Sequence, residues 1–359
     1  MASTVRTNVE TLRNYVGGRW VDAQATETQP VHNPATNEII AHVPLGNAPD
    51  VAVAVQAAQE AFAVWRATPP QERARYFFKL RQLLDEHREE LARLIVTEMG
   101  KTLDDARGEI QRGIENVETA CGIPSLMMGY GLENGAASGI DEEVIYQPLG
   151  VCAGITPFNF PFMISFWFWP YAVATGNTFI LKPSEQDPLV QQRTFELIEK
   201  AGFPPGVINL LNGGKDAVNG LLDHPDIRAI SFVGSTSTAA YVYGRAAATG
   251  KRVQASGGAK NAIVIMPDAN LDAYLSTIMN SFYGAAGQRC LANSLVLPVG
   301  NAHGTSRQRI VDAAKGIRVG DGLDPDVQLG PVVSAAARDR IFAAIETGVR
   351  EGAEAVLDG

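Results

Sequence analysis

One stretch of this 359-residue chain combines a nucleophile with space around it. GAAGQRCLANS, residues 284–294, sets Cys290 among glycines and alanines directly after Arg289. The thiolate is the attacking form of cysteine, and it needs positive potential or amide donors nearby, with room for a substrate. An inert buried cysteine is the competing account, although such a residue behaves as a small hydrophobe among apolar neighbours. In GITPFNFP (154–161), Pro157 and Pro161 fix the backbone around Asn159. A side-chain amide held so rigidly can donate to a developing oxyanion without reorganising; a stiff turn with a structural Asn is the plainer alternative.

Two further segments carry groups suited to a nucleotide. In FILKPSE (179–185) an apolar run delivers Lys182, Pro183 turns the chain, and Glu185 follows. The lysine can attract phosphate or bond ribose, and the carboxylate can accept ribose hydroxyls; a solvated ion pair explains the same residues. In ISFVGSTSTAAYVYGRAAATG (230–250) a strand ends at Gly234, and Ser235 and Thr236 open a helix whose free N–H groups suit a pyrophosphate. The dinucleotide fingerprint G-x-G-x-x-G is missing from the chain. Gly244 to Lys251 has one residue too many for a P-loop, and Arg252 stands where Ser or Thr is required, which rejects an NTPase.

The elements that must position these groups follow from periodicity. Val55, Ala58, Phe62 and Trp65 recur at helical spacing within 47–66, with Asn47 and Asp50 placed as a cap. A second helix is predicted over 71–98, carrying Leu80, Leu83, Leu84, Leu91 and Leu94 on one face, stopped by Gly100, with His87 as a half-buried packing residue. FMISFWFWPYAVA (162–174) is too short to span a bilayer and reads as a buried helix. From about residue 150, apolar runs (NTFIL, GVINLL, IRAISFV) alternate with helical stretches such as PLVQQRTFELIEKAG, which implies an α/β fold with a parallel sheet. Ligands of such sheets lie beyond the carboxyl ends of the strands, where the candidates above fall. Residues 127–150 read as a hairpin outside the core, either a plain loop or a subunit contact.

Composition narrows the function classes. A chain this long exceeds one hydrophobic core, so at least two subdomains are expected. Its net charge of −9 opposes a nucleic-acid or anionic-membrane partner. Three cysteines without close pairing and five scattered histidines oppose a disulfide framework and a protein-bound metal, and suggest a reducing compartment. MASTVRTNVE has no apolar core of a secretory signal, so a cytoplasmic location is expected.

TPFNFP, LKPSE, SFVGST and GQRC occur in the order and approximate spacing of the aldehyde dehydrogenase superfamily, which the chain resembles over nearly its whole length. The resemblance implies a Rossmann-type NAD-binding domain of residues 1–126 and 148–258, an oligomerisation hairpin at 127–147 serving a dimer or tetramer, and an α/β catalytic domain at 259–359. It implies Cys290 as nucleophile, with Asn159 and the Cys290 N–H as oxyanion donors. It implies NAD contacts from Thr156, Phe158, Lys182, Glu185, Gln186, Gly234, Ser235 and Gly257, and the negative charge of Glu185 disfavours the 2′-phosphate of NADP.

Hydrolytic members carry a glutamate in E-L-G-G-K that activates the deacylating water. Here the stretch is SGGAK (256–260), with Ser256 in the glutamate position. General-base help is worth roughly 10²–10⁴-fold, so its loss would let a thioester on Cys290 wait for a thiol such as coenzyme A. RGIENVETACGIPSLMMG (112–129), GAKN (258–261) and GAAGQRC (284–290) resemble the CoA-acylating methylmalonate-semialdehyde dehydrogenase branch. That likeness implies oxidation and decarboxylation of methylmalonate or malonate semialdehyde, with Arg112 and Arg289 clamping the substrate carboxylate. Gln186 and Ala239 depart from the pattern, with a weakened cofactor site as the expected effect. The E-x-F-G-P segment that holds the nicotinamide ribose in the superfamily does not occur, so the catalytic domain is expected to be incomplete at its C-terminal end. A hydrolytic dehydrogenase and a non-catalytic protein of the same fold are the rival readings.

Overall fold

The computed structural model describes residues 9–357; residues 1–8, most of the segment read above as lacking a secretory signal, and residues 358–359 lie outside it. The chain opens with β1 (Asn14–Val16) and β2 (Arg19–Val21), then β3 (Thr28–His32) and β4 (Ile39–Pro44). Helices α1 (Ala48–Trp65), α2 (Pro70–Glu86), α3 (Arg88–Met99), α4 (Leu103–Cys121) and the single turn α5 (Ile123–Leu126) lead to the hairpin β5 (Gly131–Ala137) and β6 (Ile140–Glu143). Strands and helices then alternate: β7 (Val151–Ile155), α6 (Met163–Phe166), α7 (Trp169–Ala174), β8 (Thr178–Lys182), α8 (Leu189–Ala201), β9 (Ile208–Leu210), α9 (Lys215–Asp223), β10 (Ile227–Val233), α10 (Thr236–Ala248) and β11 (Arg252–Ser256). The last part holds β12 (Asn261–Ile265), α11 (Leu271–Tyr283), β13 (Asn293–Pro298), α12 (Ala302–Lys315) and α13 (Ala335–Arg350).

Seven strands form the main sheet in the order β11-β10-β7-β8-β9-β1-β2. β7 to β11 are mutually parallel, and β1 joins β9 antiparallel. Alternation buries opposite faces: Phe179 and Leu181 of β8 enter a core with α2, α3, α4 and α8, whereas Ile180 enters a second core with α1, α9 and α10. Register aligns the carboxyl ends in one row, since Ile155 pairs with Lys182 and Phe232, and Val233 with Ser256. The residues after these ends share one edge for that reason. β12 and β13 form a separate parallel pair.

Several sequence expectations need correction. The helix predicted over 71–98 is two helices, because His87 leaves helical geometry at φ −105°, ψ 11°. Glu89 and Glu90 then favour a new N-terminus by charge, and Leu84 and Leu91, on either side of the bend, are both buried. His87 is half-buried, as expected, and bonds Glu90 through Nδ1 at 2.7 Å. The apolar run 162–174 is buried but divided into α6 and α7. Ala239 does not face the cofactor cavity; its methyl packs in the second core. The Asn47 cap forms with Asp50 answering reciprocally, and Gly100 ends α3 in the left-handed region at φ 94°. The hairpin β5–β6 pairs with itself alone and stays exposed throughout. No helix among the described residues is long and apolar enough to cross a membrane.

Glu98, wholly buried on α3, accepts from the N–H groups of Leu189 at 2.6 Å and Val190 at 2.9 Å, where α8 begins. Burial outweighs those bonds and pushes its carboxyl up to about 8. Asp187 is raised too, by burial and then by the charge of Glu98. Folding thus holds a proton that the unfolded chain releases near pH ~4.3. The associated stability is complete below that value and is lost as pH rises through about 8. The expected result is a Tm that falls by several degrees between about pH 6 and pH 9, with a flatter profile for Glu98→Gln in scanning calorimetry.

Candidate active site

Cys290 sits where two cavities meet. One, of about 1000 Å³, runs along the carboxyl edge of the sheet. It brings together Thr156, Phe158, Asn159, Lys182, Glu185, Gln186, Gly234, Ser235, Gly257, Arg289 and Cys290. The other, of about 680 Å³, is lined by Arg112, Arg289 and Cys290, with Asp104, Asp105, Phe160, Met163 and Trp167. A sulfur reached from both sides suits chemistry between two ligands.

The larger cavity offers polar groups in search of partners. Thr156 Oγ1 is buried with no hydrogen-bond partner. Lys182 is buried, and its Nζ meets Glu185 Oε2 at 2.7 Å. Burial alone would raise the Glu185 carboxyl, but the charge and hydrogen bond of Lys182 hold it below its ordinary value. Ser235 caps α10 by accepting from the Thr238 N–H, and the remaining first-turn amides have no intrahelical partner. Gly257 permits the chain after β11 to pass that terminus, since a Cβ there would lie 3.1 Å from Thr236 Cα. Gly258 N–H donates to Thr236 Oγ1 at 3.0 Å. An anion facing amides, with a lysine–carboxylate pair farther along, fits a dinucleotide.

The thiol loop is held from outside. Ala285, Ala286 and Gly287 all have positive φ (51°, 54° and 71°), a costly conformation for alanine, at about 1–3 kcal/mol each. Asn159 Nδ2 donates to Gln288 O at 2.8 Å, leaving its second hydrogen free, while Asn159 Oδ1 is buried without a partner. Asn261 Nδ2 donates to the carbonyls of Cys290 (2.9 Å) and Ala292 (3.0 Å). The Cys290 N–H has no acceptor among the described residues.

The charges around the smaller cavity are unequal. Arg289 forms an ion pair with Asp105 and donates to Asn280 O at 3.2 Å. Gly284 makes space for that guanidinium, since a Cβ there would lie 2.5 Å from its carbon. Arg112 projects from α4 at the exposed rim, and the carboxylates near it are engaged: Asp104 by Arg107, Asp105 by Arg289, and Glu115 by Gln111. Asp105 and Asn261 were not singled out in the sequence. Asp105 lies 184 residues from Arg289, and only the fold reveals the pairing.

A profile of the aldehyde dehydrogenase family matches residues 20–359. The chain belongs to this family. It is 51% identical over 353 residues to malonate-semialdehyde dehydrogenase 1 of Geobacillus thermodenitrificans, covering 98% of this chain and 73% of that protein. It is 50% identical to malonate-semialdehyde dehydrogenase of Lacticaseibacillus casei, covering 99% and 72%. Among solved structures it superposes with a TM-score of 0.95 and 46% identity on a Sinorhizobium meliloti protein described as a methylmalonate-semialdehyde dehydrogenase complexed with NAD, covering 99% of this chain and 72% of that one. The aldehyde dehydrogenase fold and an oxidoreductase identity follow.

The three thiols differ in environment. Burial pushes Cys121 up to about 11, with the charge of Glu118 adding to it, and burial pushes Cys152 up to about 12. Near pH 7.5, iodoacetamide is therefore expected to modify Cys290 and leave Cys121 and Cys152 untouched, as peptide mass spectrometry will report. Modification of Cys121 at a comparable rate would overturn the assignment of Cys290 as the reactive thiol.

Proposed function

We propose that the protein is an NAD-dependent, CoA-acylating dehydrogenase of malonate or methylmalonate semialdehyde. The observation that carries this reading is the position of Cys290 between the cavity along the carboxyl edge of the sheet and one lined by Arg112 and Arg289. The names of the relatives in both comparisons support the same substrate class. Residues 1–126 and 148–258 act as the cofactor domain, 127–147 as the subunit-contacting hairpin of a homo-oligomer, and 259–359 as the catalytic domain. A cytoplasmic setting agrees with three free thiols.

In this reading Cys290 sulfur attacks the aldehyde carbon, and the free hydrogen of Asn159 Nδ2 and the Cys290 N–H stabilise the oxyanion. Thr156, Phe158, Lys182, Glu185, Gln186, Gly234, Ser235 and Gly257 would hold NAD, which when bound would supply the hydride acceptor; with the hydride gone, the carbonyl re-forms as a thioester on the Cys290 sulfur. Arg112 and Arg289 bind the substrate carboxylate. Loss of that carboxylate as CO₂ moves its bonding electrons onto the thioester enolate, which the same donors stabilise before protonation.

Deacylation by CoA rests on the carboxylates. Ser256, at the end of β11, replaces the family's base, and the four carboxylates lining the two cavities are all engaged: Glu185 by Lys182, Asp104 by Arg107, Asp105 by Arg289, Glu115 by Gln111. Water would then lack a general base, whereas CoA brings a thiolate of its own.

Two assays test this. NADH formation from malonate semialdehyde should depend on CoA and yield acetyl-CoA; free acid formed at full rate without CoA would overturn the acylating reading. Arg112→Ala should raise KM for malonate semialdehyde by roughly 10–100-fold, the value of one charged hydrogen-bonding pair. Its kinetics with propanal, which lacks the carboxylate, should be unchanged.

A further inference from the structure

The segment carrying Asn159 is gripped from beneath by a charged pair that the reaction itself does not use. Lys101 and Glu109 are both fully buried, at 0% side-chain exposure, and meet at 2.6 Å. Lys101 Nζ also donates to the backbone carbonyl of Asn159 at 2.7 Å and lies 4.1 Å from the centre of the Phe160 ring. Glu109 uses its second oxygen to accept from the N–H groups of Phe162 (2.8 Å) and Met163 (3.0 Å). One ion pair thus makes four contacts along residues 159–163, at Asn159, Phe160, Phe162 and Met163.

Backbone packing places the pair. Gly100 turns the chain out of α3 with φ 94°, which sends Lys101 inward. Gly322 and Gly330 press on this turn, since a Cβ at either would lie 2.2 Å from Lys101 O or 1.8 Å from Gly100 O. Glu109 comes from α4, where Gly113 admits Phe162: a Cβ there would lie 2.2 Å from the ring. Burying two charges costs several kcal/mol per ion, which attraction alone repays only in good geometry with further hydrogen bonds. An apolar pair of similar volume would leave the carbonyl of Asn159 and two amides without partners.

We propose that Lys101, held by Glu109, is the positioning residue of the oxyanion donor. It fixes the Asn159 backbone while Gln288 O holds one side-chain hydrogen, so that the other points at the reacting carbonyl oxygen. This inference rests on the reading of Asn159 given above. An oxyanion donor is effective to the extent that it does not reorganise during the reaction, and a backbone free to rotate at Asn159 would lose that property while leaving the cofactor cavity and the thiol in place.

The test separates oxyanion stabilisation from thiol reactivity and needs neither NAD, CoA nor a semialdehyde. With p-nitrophenyl acetate, Cys290 sulfur attacks the ester carbonyl, its electrons pass to the oxygen, and collapse expels p-nitrophenolate, seen as a burst. With iodoacetamide the same sulfur displaces iodide and no oxyanion forms. Lys101→Met alone strands the Glu109 charge, so the variant of choice is Lys101→Met/Glu109→Gln, which is neutral and keeps an oxygen for Phe162 and Met163. Its acylation burst should slow by roughly 10–100-fold, with alkylation within about twofold of the parent and with no further slowing when the pair is changed in an Asn159→Ala background. Equal loss in acylation and alkylation, an unchanged burst, or a further loss in the Asn159→Ala background would overturn the proposal. Failure of the CoA-dependence assay with a normal acylation response would instead count against the substrate reading alone.

Discussion

The hydrogen bond from Asn159 Nδ2 to the carbonyl of Gln288 joins parts of the chain 129 residues apart and ties the oxyanion donor to the thiol loop, which three further bonds also hold. That loop contains only the single 3-10 turn Gly284–Gly287, inside which Ala285 and Ala286 leave helical geometry. Two alanines in the left-handed region cost about 1–3 kcal/mol each. Against this stand a few neutral hydrogen bonds worth about 0.5–1.5 kcal/mol each: Asn159 to Gln288, Asn261 to Cys290 and Ala292, and the Val333 N–H to Gln288 Oε1. The terms are of similar size, so the loop keeps its shape only while most of these partners are in place. A thiol positioned in this way is ordered by both sheets together.

The two arginines of the smaller cavity are not equivalent. Arg289 lies largely buried against Asp105, with side-chain exposures of 20% and 18%, and breaking such a pair leaves an uncompensated charge near the thiol. A carboxylate entering the cavity must share or displace Asp105. Arg112 stands at the exposed rim with its neighbouring acids already paired, so it is the cation a negatively charged substrate meets first. In the proposed reaction Arg112 attracts the substrate carboxylate, and Arg289, rigid beside Gly284, sets its final distance from Cys290.

The parallel sheet was legible because its strands are short, almost wholly apolar and bounded by turn residues; Phe179, Ile180 and Leu181 bury on both faces and leave no polar alternation to mislead. The candidate site was legible for a related reason, since parallel strands in register bring their ends to one edge, and Lys182 ends such a strand while Thr156, Gly234 and Gly257 follow directly after one. The break at His87 was not legible. Leu84 and Leu91 keep the helical period across it, and the bend changes direction without changing which residues are buried. Lys101, Glu109, Asp105 and Asn261 were invisible for another reason: each acts through a partner that only tertiary folding delivers. A lysine after a glycine stop reads as an exposed cap until the glycines at 322 and 330 are seen to close over its backbone.

The arrangement of acids has a consequence for water. A thioester resists water without a base but yields readily to a thiolate, so the fate of the acyl group is decided by which carboxylates near the sulfur are free. Each acid lining the two cavities has an ion-pair or hydrogen-bond partner, and Glu98 and Glu109, bonded to backbone amides and Lys101, are sealed in the core below together with Asp187. The end of β11 carries Ser256 and no carboxylate. In the proposed reaction the cation-lined walls bind the substrate anion, and a bound thiol, whose own chemistry is sufficient, is the acceptor.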